Sequence, residues 1–159
     1  MLFRSSYRTL AGVASGAISM SNFYGKSNRA SVSYTFSANT ANASLNVTSI
    51  SGYSAGTTDV TITVNSGVYL YSTSTGTAGL TLTGGSTGDT ITLVNNGYIM
   101  GMGGNGGGWN SGGFSYIAGS VGGPALSLGF TTTVNNTNAS AYIGGGGGGG
   151  GCSQGSPGQ

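Results

Sequence analysis

Asp59 and Asp89 are the only acidic residues in the sequence, they stand 30 positions apart, and no His or Glu accompanies them. General acid–base catalysis, a hydrolytic triad or a carboxylate metal cage each needs a second suitable group close by. Glycoside hydrolysis needs two carboxylates flanking one bond. The two aspartates therefore read as acceptors for backbone N–H groups at turns, and no catalytic residue is assigned. Cys152 is the single cysteine, which removes an intrachain disulfide and any cysteine-based zinc cluster; it reads as a small polar filler. The glycines from Gly101 to Gly108 run into Trp109-Asn110-Ser111, whereas a phosphate cradle requires Lys-Ser/Thr opening a helix. No enzyme activity, cofactor or metal is expected.

Binding chemistry is better represented. Tyr98, Met100 and Met102, then Trp109, Phe114 and Tyr116, and finally Tyr142 stand among glycines that can hide little of them. Tyr and Trp give large, rigid contacts with a polar tip, which suits them to gripping a sugar or a protein surface. Ile99 and Ile143 read as interior residues. Trp109 and Phe114, flanked by Gly, Asn and Ser, are equally compatible with exposure and with burial.

The chain has 159 residues, of which 34 are Gly and only 4% are charged, against about 25% in ordinary soluble domains. So bare a surface has little electrostatic protection against association, and an oligomer or assembly component is expected. Val, Ile, Thr, Tyr and Phe are too plentiful for a disordered chain. Arg4, Arg8, Lys26 and Arg29 are the only basic residues. With none after Arg29, the charged groove needed for nucleic acid is missing. No apolar run approaches the roughly 20 residues that span a bilayer, and Met1 to Leu10 lacks the apolar core of a secretory signal.

Residues 1–29 are set apart from the rest. Phe3, Tyr7 and Leu10 fall at i, i+4 and i+7, opposite Arg4 and Arg8, which predicts a short amphipathic helix ending at Gly12. Ser19 or Ser21 can cap a second brief turn through Asn22, Phe23 and Tyr24. Such short helices need a partner to pack on.

From Ala30 the apolar period becomes two. It runs through Val32, Tyr34 and Phe36, then Ala43, Leu45 and Val47, and then Val60, Ile62 and Val64. It returns in Leu80 and Leu82, and in Leu126, Leu128 and Phe130. Gly52, Gly56, Gly67, Gly84-Gly85 and Asn95-Asn96-Gly97 mark turns where positive φ is easily accepted. Two motifs repeat. Thr61-Ile62-Thr63-Val64-Asn65-Ser66-Gly67 resembles Thr92-Leu93-Val94-Asn95-Asn96-Gly97, and Thr132-Thr133-Val134-Asn135-Asn136 begins it again. Ala78-Gly79-Leu80-Thr81-Leu82-Thr83-Gly84 is echoed by Pro124-Ala125-Leu126-Ser127-Leu128-Gly129. Spacings of about 30 to 40 residues predict an all-β chain of repeated short strands, either β-solenoid-like or a trimeric β-fibre. A β-sandwich with a glycine appendage is the alternative.

Gly144 to Gly151 is an unbroken run of eight, and it follows Tyr142-Ile143 much as the earlier glycines follow Tyr98-Ile99. Glycine can adopt the extended polyproline II geometry and pack side by side through its backbone groups. Ordering it costs about 1 to 2 kcal/mol per residue, so many simultaneous bonds between segments are required. Polyglycine II-type packing is therefore expected in place of a loose linker.

The stretch Ser15-Gly16-Ala17-Ile18-Ser19-Met20-Ser21-Asn22-Phe23-Tyr24-Gly25-Lys26-Ser27 resembles a segment of bacteriophage tail proteins. Val94 to Gly104 and Gly144 to Gly151 look like the glycine-rich distal parts of phage tail-fibre and receptor-recognition proteins. That resemblance implies a virion component with a tail-attachment segment at 1–29, a β-strand domain at 30–94 and a glycine-rich distal region at 95–159. It implies that Phe3, Tyr7, Leu10, Phe23, Tyr24, Lys26 and Arg29 meet other tail or baseplate proteins. The aromatic candidates of the distal region would meet a host cell-surface protein or glycan. The chain would associate with itself, as a homotrimer; a purely structural linker is the other function considered.

Overall fold

The computed structural model describes residues 29–110 and 115–151, together with residues 7, 8, 10–12, 17–19 and 22. Strands dominate, as the alternation predicts. β1 (Ala30–Phe36), β4 (Thr58–Val64), β7 (Thr90–Asn95) and β12 (Thr133–Asn135) form one sheet in that order. β2 (Thr40–Ala41), β5 (Tyr69–Tyr71), β8 (Tyr98–Met100) and β13 (Tyr142–Gly144) form a second; β3 (Ala43–Asn46), β6 (Leu80–Thr83) and β11 (Leu126–Leu128) form a third. Every pairing within these three sheets is parallel. The chain visits the first, second and third sheets in rotation, and each circuit stacks on the one before it.

The sequence repeats are these stacked strands. Thr61, Ile62 and Thr63 lie beside Thr92, Leu93 and Val94, which in turn lie beside Thr133, Val134 and Asn135. Leu80, Thr81 and Leu82 lie beside Leu126, Ser127 and Leu128. Because the register is kept, like stacks on like, and the alternation places Val60, Ile62 and Val64 of β4 on the same interior as Leu93. Leu70, Leu80, Leu82 and Ile99 close that interior from the other two sheets. Burying each such side chain stabilises the fold by about 1.5 to 3 kcal/mol.

Turn chemistry follows the expectation at Gly52, Gly56, Gly67, Gly84 and Gly85, all with positive φ. Gly97 is different: it has no positive φ, but a Cβ there would meet the Val68 and Asn65 carbonyl oxygens. Two apolar runs also end earlier than their alternation suggests. Val47 begins a short 3-10 turn, Val47–Ser49, because the Asn46 side chain accepts the Thr48 N–H at 3.1 Å. Phe130 lies beyond β11, where its ring packs over Gly85 at a point where a Cβ would come within 2.8 Å.

Asn95 occupies the register position of Val64 and is equally buried. A buried amide must be satisfied. Its Nδ2 donates to Asn136 Oδ1 at 2.7 Å and to the Tyr142 carbonyl at 3.3 Å, and its Oδ1 accepts the Gly97 N–H at 3.2 Å. One side chain thus ties the third circuit to the fourth at the corner from which β8 departs.

Near the N-terminus, Tyr7, Arg8, Leu10 and Ala11 are helical and Gly12 has φ 70°. Ser19 donates its N–H and hydroxyl to Asn22 Oδ1, and Asn22 donates its N–H to the Ser19 carbonyl. Phe3, Phe23, Tyr24, Lys26, Phe114 and Cys152 lie outside the described residues.

Candidate recognition site

Between β8 and β11 the chain leaves the stacked sheets. It runs out along residues 101–107, forms an antiparallel hairpin of β9 (Gly108–Asn110) and β10 (Ser115–Ile117), and returns along 118–124. After β13, residues 144–150 run alongside. Backbone bonds join the three segments in a cycle. Gly101, Gly104 and Gly107 N–H donate to the carbonyls of Gly144, Gly147 and Gly150; Gly123 and Ser120 donate to Met102 and Asn105; Gly146 and Gly149 donate to Gly123 and Ser120. Each set recurs every third residue.

The close approaches follow the same cycle. A Cβ at Gly101 or Gly104 would strike the backbone of Gly123 or Ser120, and one at Gly119 or Gly122 the backbone of Gly149 or Gly146. At Gly146 or Gly149 it would strike Met102 or Asn105. These inward positions therefore have to be glycine, and Gly123 is closed in as well, by the Thr75 backbone. The seven residues 101–107 separate the hairpin from β8.

The hairpin presents Trp109 and Tyr116, paired across the strands with ring centroids 5.0 Å apart and planes inclined by 58°. They are 43% and 49% exposed. Ile117 is exposed on the same hairpin, and Val121 on the return segment and Met102 nearer the sheets are exposed as well. Tyr98, Met100 and Tyr142 are elsewhere, on the outer face of the second sheet. There Tyr69, Tyr98 and Tyr142 occupy one register column, and the Tyr69 and Tyr98 rings stack at 4.5 Å and 14°. The aromatic candidates thus fall into a distal pair and a lateral ladder. Sequence reasoning missed Tyr69 and Tyr71, whose alternation with buried Leu70 was the available signal. It also missed Ile117 and Val121.

The charged groups occupy a third location. Arg29, just ahead of β1, donates from Nε and Nη2 to Asp59 Oδ1 at 2.8 and 2.7 Å. It also donates to the carbonyls of Gly88 and Thr58 and to Thr90 Oγ1, so it spans the starts of three stacked strands. Of the attachment candidates, Arg29 is engaged in this way, Tyr7 is exposed and Leu10 is partly buried. Asp89 accepts from the Tyr53 hydroxyl and from the Thr58 and Ser86 N–H groups. Asp89 thus serves turns, as expected, whereas Asp59 lies within β4 and pairs with the Arg29 side chain instead of with turn N–H groups.

The Arg29 hydrogen bond, aided by its charge, holds the Asp59 carboxyl below the usual carboxylate range. At Asp89 burial pushes the pKa up, but the bonds from Tyr53, Thr58, Ser86 and Gly56 outweigh it and the net direction is down. Groups depressed on folding contribute stability that is present above their unfolded pKa, about 3.9, and lost as pH falls through the folded value. The melting temperature is accordingly expected to be flat above about pH 5 and to fall below about pH 4. Thermal melts of Asp89→Asn should start lower and show a shallower acid limb; an unchanged limb would remove this cluster from the acid response.

Residues 31–159 match the profile of the family described as Phage tail fibre adhesin Gp38. The chain belongs to that family. No curated protein and no solved structure matches it. Membership in the phage tail fibre adhesins places the protein in the virion tail, among structural and adhesive proteins that take part in host attachment. The match covers the stacked sheets, the glycine segments and the hairpin, and leaves the first 30 residues outside it. Among the described residues no three His, Cys, Asp or Glu gather to hold a metal, and no helix is long and apolar enough to cross a membrane.

Proposed function

We propose that this adhesin contacts its host receptor directly, through the Trp109 and Tyr116 hairpin carried at the outer end of the glycine segments. The observation that carries this reading is the placement of two half-exposed rings on an uncharged hairpin, remote from the apolar interior. Rigid aromatic anchors dominate the energetics of many interfaces. The lateral residues Tyr98, Met100 and Tyr142, with Met102 and Phe114, supply further contacts. Many weak contacts on many fibres add into firm adhesion through effective concentration.

In this proposal the stacked circuits form a β-solenoid stem and the three bonded segments pack as polyglycine II helices. The rotation of strands among three parallel sheets supports the first, and the three-residue bonding period supports the second. Residues 1–29 attach the chain to other tail or baseplate proteins, with Phe3, Tyr7, Leu10, Phe23, Tyr24, Lys26 and Arg29 as the candidates. Residues 30–94 form the strand region, and 95–159 the distal region, which returns β11, β12 and β13 to the stem. Self-association, as a homotrimer, belongs to the same reading, and the receptor is a cell-surface protein or glycan.

Virions carrying Trp109→Ser or Tyr116→Ser test the proposal. Assembly should be unchanged, while adsorption falls about tenfold for each ring removed, the equivalent of about 1.4 kcal/mol. Normal adsorption by the double variant would sink receptor contact at this hairpin. Failed assembly would favour a structural linker, a role that the packed Tyr69 and Tyr98 ladder also suits.

A further inference from the structure

Asparagine followed by glycine is prone to spontaneous deamidation, because a residue without Cβ lets its backbone nitrogen reach the preceding side-chain amide carbon. The chain contains two such pairs, Asn96-Gly97 and Asn105-Gly106, and the fold treats them oppositely. Gly97 is buried, its N–H donates to Asn95 Oδ1 at 3.2 Å, and the Val68 and Asn65 carbonyl oxygens crowd its Cα. Its nitrogen is tied and its peptide has no room to turn. Asn105 and Gly106 are both exposed. Among the described residues, the Gly106 N–H and the Asn105 side-chain amide have no hydrogen-bond partner, and a Cβ at Gly106 would meet nothing within 4 Å. Beyond this pair only the bond from the Gly107 N–H to the Gly150 carbonyl ties 101–107 to 144–150. The pair thus sits at the outer end of the packed segments, where backbone opens most readily.

We infer that Asn105-Gly106 is a self-modifying site that converts to an acid at the foot of the hairpin, while Asn96-Gly97 is held inert. The Gly106 nitrogen gives its proton to solvent hydroxide and bonds to Asn105 Cγ; the Cγ–Nδ2 bond breaks, ammonia leaves, and a succinimide closes. Water then opens the ring. Cleavage of the new N–Cγ bond gives aspartate, whereas cleavage of the original peptide bond gives isoaspartate, with the main chain rerouted through Cβ and Cγ. Either product places a carboxylate where no charge occurs after Asp89. Isoaspartate does more, because it lengthens the main chain by one atom and frees the carbonyl that accepts the Ser120 N–H at 2.9 Å. Gly107 then no longer stands opposite Gly150, and the outermost bonds of the cycle are lost. The chemistry is independent of receptor contact at the hairpin.

The test is incubation of the full-length protein at mildly alkaline pH, followed by peptide mapping with fragmentation that separates aspartate from isoaspartate. In the folded protein Asn105 should convert at least about tenfold faster than Asn96. In denaturant, where neither pair is protected, the two rates should converge. Gly106→Ala fits the open space and the backbone, since Gly106 has no positive φ. It should slow conversion of Asn105 by about tenfold, because the methyl shields the nitrogen and narrows its backbone freedom, with unchanged amide exchange at Gly101 and Gly104. In the isoaspartate form the amides of Gly107 and Ser120 should lose protection while those of Gly101 and Gly123 keep it. Equal rates at the two asparagines of the folded protein, or an Asn105 that converts only in denaturant, would overturn the inference. Full protection of Gly107 in the isoaspartate form would overturn the break in packing.

Discussion

Gly146→Val is expected to unravel the glycine segments while the stacked sheets stay folded. The new Cβ would run into the Met102 backbone, and relief requires two backbones to separate. That separation breaks the bonds from Gly146 to Gly123 and from Gly123 to Met102. Overpacking costs about 1 to 3 kcal/mol and each hydrogen bond about 0.5 to 1.5 kcal/mol. A local loss of about 3 kcal/mol or more follows, enough to release a unit held mainly by backbone bonds. Amide exchange should accelerate at Gly101, Gly104, Ser120 and Gly123 and stay slow along β4 and β7. Gly147→Ala, one position away with open space around it, should leave protection intact. Equal protection in Gly146→Val and the natural chain would refute the cyclic packing.

Leu93→Ala is expected to lower global stability by about 2 to 5 kcal/mol, a large share of the roughly 5 to 15 kcal/mol available to a domain. Leu93 is fully buried at the centre of the first sheet, with Ile62 and Val134 as its register neighbours. Shortening it leaves a cavity in the middle of the stack. Denaturant unfolding should show a lower midpoint at an unchanged slope. Leu128→Ala is the comparison: this leucine is 39% exposed on the last strand of its sheet, and its loss should cost under about 1 kcal/mol. Similar costs at the two sites would show that the stack does not divide buried from open positions as described.

The strand periodicity and the repeats made much of the fold legible. Thr61-Ile62 and Thr92-Leu93 align in the sequence and lie side by side in the sheet because a parallel stack keeps register between circuits. Gly97 was found for the wrong reason, since sequence marks a glycine but does not say whether φ or a close approach demands it. Asn95 was read only as a turn residue; its burial depends on Asn136, 41 positions later, a relation with no local signal. The aromatic candidates were identifiable by type and by glycine surroundings. Their division into a hairpin pair and a sheet-face ladder was not, because it rests on the excursion between β8 and β11. A two-residue strand such as β2 is too short for alternation to reveal.

The ionic groups described around Arg29, Asp59 and Asp89 are engaged with one another and with turns, and the distal half has none of its own. Such a surface casts almost no long-range field toward a membrane or a capsule. Counter-ions then have nothing to screen, so neither the encounter rate nor the residence time of the distal half should respond to the change in Debye length between dilute buffer and sea-strength brine. Whatever that half touches must be found by collision and kept by fit.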